Sequence, residues 1–319
     1  MLSNLEENRL VFGELAWFWL GDLSVKLKIN FTVFMENLYY KPSGKAPALA
    51  FIGSLVLGTL GAIVLAIVYI ALQWFIPIIY FNVFITLGFG AGIFYVLNFC
   101  FKQWKLRNKG IAILITLLIA ILGFYAQWAL FVSLMYNAEG TMGGDTWVKS
   151  SFNLEGFKAF FLHPSFIWEA MQGLNEVGTF TLKKSPVSGG MLWAVWAIEM
   201  GIILITPIIM AFRGITIYPF SEKDEAWMNK RTLPGRLKFV ADKDAVVSSL
   251  GNHDFAYVYD HLSDEEEHFS FATAELYESE TDDHQYLTIY NHQFTEKKGK
   301  MEEKKDEIIE FLRINRNSL

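Results

Sequence analysis

APALAFIGSLVLGTLGAIVLAIVYIALQWFIPIIYFNVFITLGFGAGIFYVLNFCF, residues 46–101, contains no Asp, Glu, Lys or Arg. A helix of that length exposed to water needs a charged face, and this stretch has none. Lipid is the simpler solvent. A bilayer core takes about 20 apolar residues per helix, so the run is long enough to cross twice, with a tight antiparallel turn at Gln73-Trp74-Phe75-Ile76-Pro77. Spans are expected over 46–73 and 76–101, and two further apolar runs predict spans at 110–136 and 191–212. The fold class is therefore an α-helical integral membrane protein with four transmembrane helices. Aromatic residues fall at the expected boundaries (Trp74, Tyr80, Trp104, Trp128, Tyr136, Trp193, Tyr218), as interfacial belts do.

Composition agrees. The 319 residues are 53% hydrophobic and 19% charged, against about a quarter charged in an ordinary soluble domain. From Arg213 onward the chain carries 14 basic and 22 acidic residues, and before it 13 and 11. An acidic tail argues against nucleic acid as a partner, since phosphate binding needs basic surface. The single cysteine, Cys100, excludes an intrachain disulfide and any cysteine-based zinc site.

Orientation follows from basic residues in short loops. Lys102, Lys105, Arg107 and Lys109 lie between the second and third spans with no acidic residue. Lys41 and Lys45 before the first span and Arg213 after the fourth agree, which puts both termini in the cytosol. Lys183 and Lys184 point the other way, but they belong to a long outer loop, 137–190, that also carries Glu139, Asp145, Glu155, Glu169 and Glu176. Within that loop, 154–174 reads as two short interfacial or re-entrant helices, with Pro164 starting the second. A re-entrant segment would suit a pore; a lid lying on the membrane is the plainer reading.

Residues 1–45 form an N-terminal amphipathic or cytosolic segment. Its apolar part, 11–20, is too short to cross a bilayer and lacks a signal-peptide pattern. Residues 213–319 read as a small cytosolic α+β domain. Strands are expected at 255–259, 269–277 and 286–294, the last two joined as a hairpin through the polar 278–283. The spacing of Met301, Ile308, Phe311 and Leu312 predicts a closing helix over 300–314.

Four features are candidates for function. Ala46, Ala50, Ser54, Gly58, Ala62 and Ala66 are small residues spaced by four, a helix-packing face that lets another backbone approach closely in lipid. That helix lies either within the subunit or at an oligomer axis, which makes a homo-oligomer an expected partner. Gly88 and Gly92 add a packing notch or a hinge in the second span. Glu199 is the only acidic residue inside a span, near its middle. A carboxylate there is costly unless protonated, paired or wetted, so it is either a proton- or cation-binding group of a pore or a neutral acid bonded to Gln127 or Thr116. Lys230, Arg231, Arg236 and Lys238 form a basic patch that could hold lipid headgroups or an anionic ligand.

Five of the six histidines lie between His253 and His292, without the spacing of a metal site; turn or surface histidines are the plainer reading. The run 264–267 reads as a solvated acidic loop. No P-loop, GxSxG or dinucleotide fingerprint is present, so neither an enzyme nor a cofactor is expected. What remains is an oligomeric channel with a cytosolic domain that senses a ligand or protein partner, or a membrane-anchored scaffold whose helices only position the tail.

Tyr39-Tyr40-Lys41-Pro42-Ser43-Gly44-Lys45 before the first span, Ile76-Pro77-Ile78-Ile79-Tyr80-Phe81-Asn82 and the glycines of 88–92 resemble the opening of a group of uncharacterised bacterial multi-pass membrane proteins. The resemblance covers roughly residues 35–136. It implies a bacterial source, an inner-membrane location and a start near Met35, from which the segment before Met35 departs. It lends no activity and no site.

Overall fold

The computed structural model describes residues 38–76, 79–139, 149–182, 185–214, 218–251, 254, 270–297 and 299–315. Two units are present: Pro42–Tyr218, and Pro219–Leu319 together with the described residues up to Lys41.

The first unit is helical. Helices α1 (Ala48–Phe75), α2 (Ile79–Gln103), α3 (Lys109–Tyr136) and α6 (Gly189–Phe212) match the four expected spans to within a few residues. All four are long and apolar enough to cross a membrane. The chain is a multi-pass helical membrane protein. Lipid contact explains why large apolar side chains remain exposed along α1: Leu49, Ile52, Val56, Leu60, Val64 and Ile67. The small-residue row lies opposite. Ala50, Ser54, Gly58, Ala62 and Ala66 are all buried, and a Cβ at Gly58 would meet Leu97 at 2.7 Å and Ile119 at 3.2 Å. The face therefore seats α1 against α2 and α3 of the same chain. Ala46 precedes the helix and packs on its core only in part.

Around the bundle the order is α1, α2, α6, α3, so α1 and α6 stand diagonally. The α2–α3 turn is tied down by Asn108, which caps α3 by accepting from Ile111 N–H (2.9 Å) and donates to the Gly44 carbonyl (2.9 Å).

The connection from α3 to α6 holds α4 (Leu154–Leu162) and α5 (Pro164–Val177), with Pro164 in the first turn of α5, as its missing N–H favours. Asn153 caps α4 by accepting from the Glu155 and Gly156 amides. Two short ribbons flank the pair: β1 (Ala138–Glu139) with β2 (Lys149–Ser150), and β3 (Thr181–Leu182) with β4 (Ser185–Pro186). Trp128, expected in the interfacial belt, is instead 4% exposed, packed edge-on against Trp196 at 4.9 Å.

The second unit is an antiparallel sheet in the order β10 (Lys300–Asn315), β9 (His284–Lys297), β8 (Ser270–Glu278), β7 (Asn229–Thr232). A short ribbon, β5 (Phe220–Ser221) with β6 (Ala226–Trp227), precedes it. One sheet face carries Ala272, Ala274, Leu276, Leu287, Ile289, Ile309, Leu312 and Ile314, covered by Val246, Val247 and Leu250 of α7 (Lys243–Gly251). The β8–β9 hairpin follows the expected strands. Residues 1–37 with their apolar run, the strand expected at 255–259 and the acidic loop 264–267 lie outside the described residues.

The expected closing helix is a correction: 300–315 is strand β10, and the helix on the sheet is α7. Gly299, in the left-handed region at φ +75°, turns the chain so that Lys300 pairs Lys297. Two bulges, between Glu307 and Ile309 and between Ile309 and Leu312, shift the register. They bring Ile309, Leu312 and Ile314 to the core face while Phe311, at φ +51°, turns to the other face against Tyr277. A bulged strand spaces its inward residues by three and two, close enough to 3.6 to imitate a helix. The Glu/Lys-rich start of β10 adds high helix propensity to the disguise.

Candidate functional site

Glu199 sits on α6 facing the bundle interior. Its carboxylate accepts a short hydrogen bond from the Tyr69 hydroxyl and a longer one, 3.5 Å, from the Gln73 side-chain amide. Gln73 also donates to Tyr69 Oη at 2.6 Å, and Tyr69 Oη lies 3.3 Å from Thr86 Oγ1. The Thr86 hydroxyl donates to the Asn82 carbonyl one turn back (2.7 Å), and Asn82 Oδ1 is buried without a partner. Tyr69 itself is 1% exposed and stacks on Phe89 at 4.8 Å. Helices α1 and α2 thus gather four oxygen- or amide-bearing side chains around one carboxyl of α6, two of them bonded to it directly.

Why these residues meet is a matter of period. Tyr69 and Gln73 continue the buried stripe of Ala50 to Ala66 by three and four residues, so the face that packs α1 becomes polar in its last two turns. Gly90 lets α6 approach α2 closely: a Cβ there would meet Thr206, Pro207 and the Ile203 carbonyl at 3.0–3.3 Å. Gly88 faces open space and Gly92 meets Leu65 of α1, so the two expected notch glycines act separately.

One expectation for Glu199 is corrected. Its partners belong to the first span, not the third: Thr116 donates to the Ala112 carbonyl, and Gln127 Nε2 has no partner among the described residues. Glu199 is the eleventh of the 24 residues of α6, and its partners Tyr69 and Gln73 lie six and two residues from the end of α1.

Chemically, the cluster supplies hydroxyl donors, an amide and a carboxylate, with no basic residue among its described members. Such a group is stable in a low-dielectric interior either as a neutral acid or with a bound cation.

In the sheet unit, the described histidines serve the sheet. His292 bonds Glu303 Oε1 through Nδ1 (2.6 Å) and lies 2.8 Å from Thr273 Oγ1 through Nε2, with Phe271 stacked on its ring. His284 bonds Arg313. His253, His261 and His268 lie outside the described residues. Of the four basic residues, Lys230 pairs Glu275 (3.1 Å), Arg231 pairs Glu278 (3.0 Å), Arg236 stacks over Phe271 (4.3 Å), and Lys238 is exposed. No family model, curated protein or solved structure matches the chain.

Proposed function

We propose that the protein is a cation or proton conductance of a bacterial inner membrane, with Glu199 as its ion-binding group and the sheet domain as a cytosolic regulator that takes a ligand or protein partner. The observation that carries this reading is the Glu199 carboxyl held between Tyr69 and Gln73 inside the bundle, with no basic residue among its described partners. Such a carboxyl binds a proton or a dehydrated cation in exchange for charge it cannot otherwise keep. The cytosolic orientation rests on Lys102, Lys105, Arg107 and Lys109, and the bacterial source on the resemblance of residues 35–136. Reconstitution in liposomes tests the reading: the native protein is expected to carry cation or proton flux that Glu199→Gln abolishes. Absence of flux from the native protein, or equal flux from the variant, overturns it.

One observation favours the anchored scaffold instead. The small-residue face that could have built an oligomer axis is spent inside a single chain. On that reading Glu199→Gln is silent, deletion of 227–319 removes function, and native mass spectrometry finds a monomer. A ring of several copies favours the pore.

A further inference from the structure

Helix α4 runs back along the upper half of α3. A Cβ at Gly156 would lie 3.3 Å from Ser133 Oγ, while near the other end of α4 the Tyr125 hydroxyl donates to the Phe161 carbonyl at 2.6 Å. Tyr125 precedes Tyr136, the last residue of α3, by about 16 Å of helix. Helix α5 then returns to the bundle end, where the Asn175 amide donates to the Gly189 carbonyl at the start of α6 (2.9 Å). The pair is a hairpin whose tip, His163-Pro164, lies well down the length of a span.

The outer row of α3 shows what the hairpin replaces. Leu114, Leu118 and Ile121 are about half exposed, as lipid-facing residues are. The row stops there, because Tyr125, next in sequence on it, is covered by Phe161 of α4, while Trp128 beyond it packs on Trp196 of α6. Apolar side chains then reappear on the hairpin: Leu162 at 69%, Phe166 and Val177 are all exposed. Beside them Ser165, Glu169, Gln172 and Glu176, spaced by four, three and four, make an exposed polar stripe from the tip of α5 to its end.

The tip also deals with its own backbone. The last carbonyls of a helix lack partners within it, and lipid tolerates none left bare. Here Tyr125 takes those of Phe161 and Phe160, and His163 Nδ1–H takes that of Ala159 (2.8 Å). Pro164 brings no N–H, and the Phe166 amide is spent on the His163 carbonyl (3.0 Å).

We infer that α4–α5 is a re-entrant hairpin that enters the hydrocarbon from the side holding the α1–α2 turn and reverses near half-depth. It seats Leu162 and Phe166 in acyl chains, with its polar stripe exposed beside them. A lid lying flat on the membrane differs in one measurable respect: it holds Phe166 and Val177 at the same depth.

Cys100 is the only cysteine and is buried, so a Cys100→Ala background accepts single spin labels. The full chain in liposomes, labelled at Phe166→Cys or Val177→Cys, is read by the ratio of oxygen to nickel-chelate accessibility, with Ile121→Cys as the deep reference. The Phe166 label is expected near the depth of the Ile121 label and about 16 Å below that at Val177. Leu162→Cys, on the other arm of the turn, repeats the measurement should the Phe166 variant fail to insert. Equal shallow depths at 166, or at 162, and at 177 overturn the proposal.

Discussion

Tyr39 pairs with Leu312 in an antiparallel bridge, so the segment leading to the first span is a short fifth strand on the edge of the C-terminal sheet. Its neighbours complete the join: Tyr40 N–H donates to the Phe311 carbonyl (2.9 Å) and Arg313 N–H to the Leu38 carbonyl (2.6 Å). The Tyr40 ring meets Tyr286 edge-on at 5.0 Å. An exposed sheet edge invites pairing with other chains, and this addition covers the apolar end of β10. Tyr40→Ala removes the aromatic contacts and is expected to cost the sheet domain about 1–3 kcal/mol. Hydrogen exchange at the Arg313 amide reads it directly. Unchanged protection there would show that residues 38–40 do not occupy the edge.

The small-residue face makes a contrast between two glycines of similar sequence context. Gly58 is closed in by Leu97 and Ile119, whereas Gly88 has nothing within 4 Å. Gly58→Leu therefore forces α1 off its neighbours, an overpacking cost of about 1–3 kcal/mol. Gly88→Leu adds a side chain to an open face. The thermal midpoint in detergent is expected to fall for the first and stay within about a degree or two of native for the second. The reverse order would mean that the helix faces are assigned wrongly.

These outcomes trace which parts of the structure were legible. The spans were, because hydrocarbon demands an uncharged run of fixed length and residues 46–101 meet it. Pro164 likewise announced the break between α4 and α5. Strand β10 was hidden by its bulges, which lend Ile309, Phe311 and Leu312 a helical spacing. Glu199 was visible as the lone carboxylate of the spans, but its partners were not. Loop charge and hydropathy do not say which helices stand diagonally, and Tyr69 and Gln73 look like ordinary end-of-span residues until the small-residue stripe is extended through them.

Two carboxyls of the sheet domain respond to pH in opposite senses. The Thr281 hydroxyl and N–H, with Ser279, hold Asp224 down from 3.8 to about 2. Its folded value is depressed, so its contribution to stability is present above about 4 and is lost as pH falls toward 2. Glu307 is raised above 4.5 by burial first and then by Glu310. The folded state therefore holds that proton more tightly than the unfolded state does. Its contribution is full below about 4.5 and is lost as pH rises through the raised value. Glu307→Gln is thus expected to slow hydrogen exchange of β9 and β10 amides at pH 7, with the advantage shrinking below pH 4.5. An advantage that grew on acidification would contradict this sign.

Glu199 allows the hydrogen bond across the bundle to be separated from the charge. Glutamine keeps a carbonyl oxygen where the carboxylate accepts from Tyr69 and Gln73, so Glu199→Gln should leave the thermal midpoint in detergent near native. Glu199→Leu instead takes the acceptor from the hydroxyl of Tyr69, a residue only 1% exposed, and leaves it the longer contact to Thr86 Oγ1 at 3.3 Å; the lost bond costs about 0.5–1.5 kcal/mol. Tyr69→Phe in the Glu199→Leu background removes that weakened donor and should add little further loss, because the two residues act as one unit. Simple addition of the two single effects would show that the bond across the diagonal contributes nothing to holding α1 and α6 together.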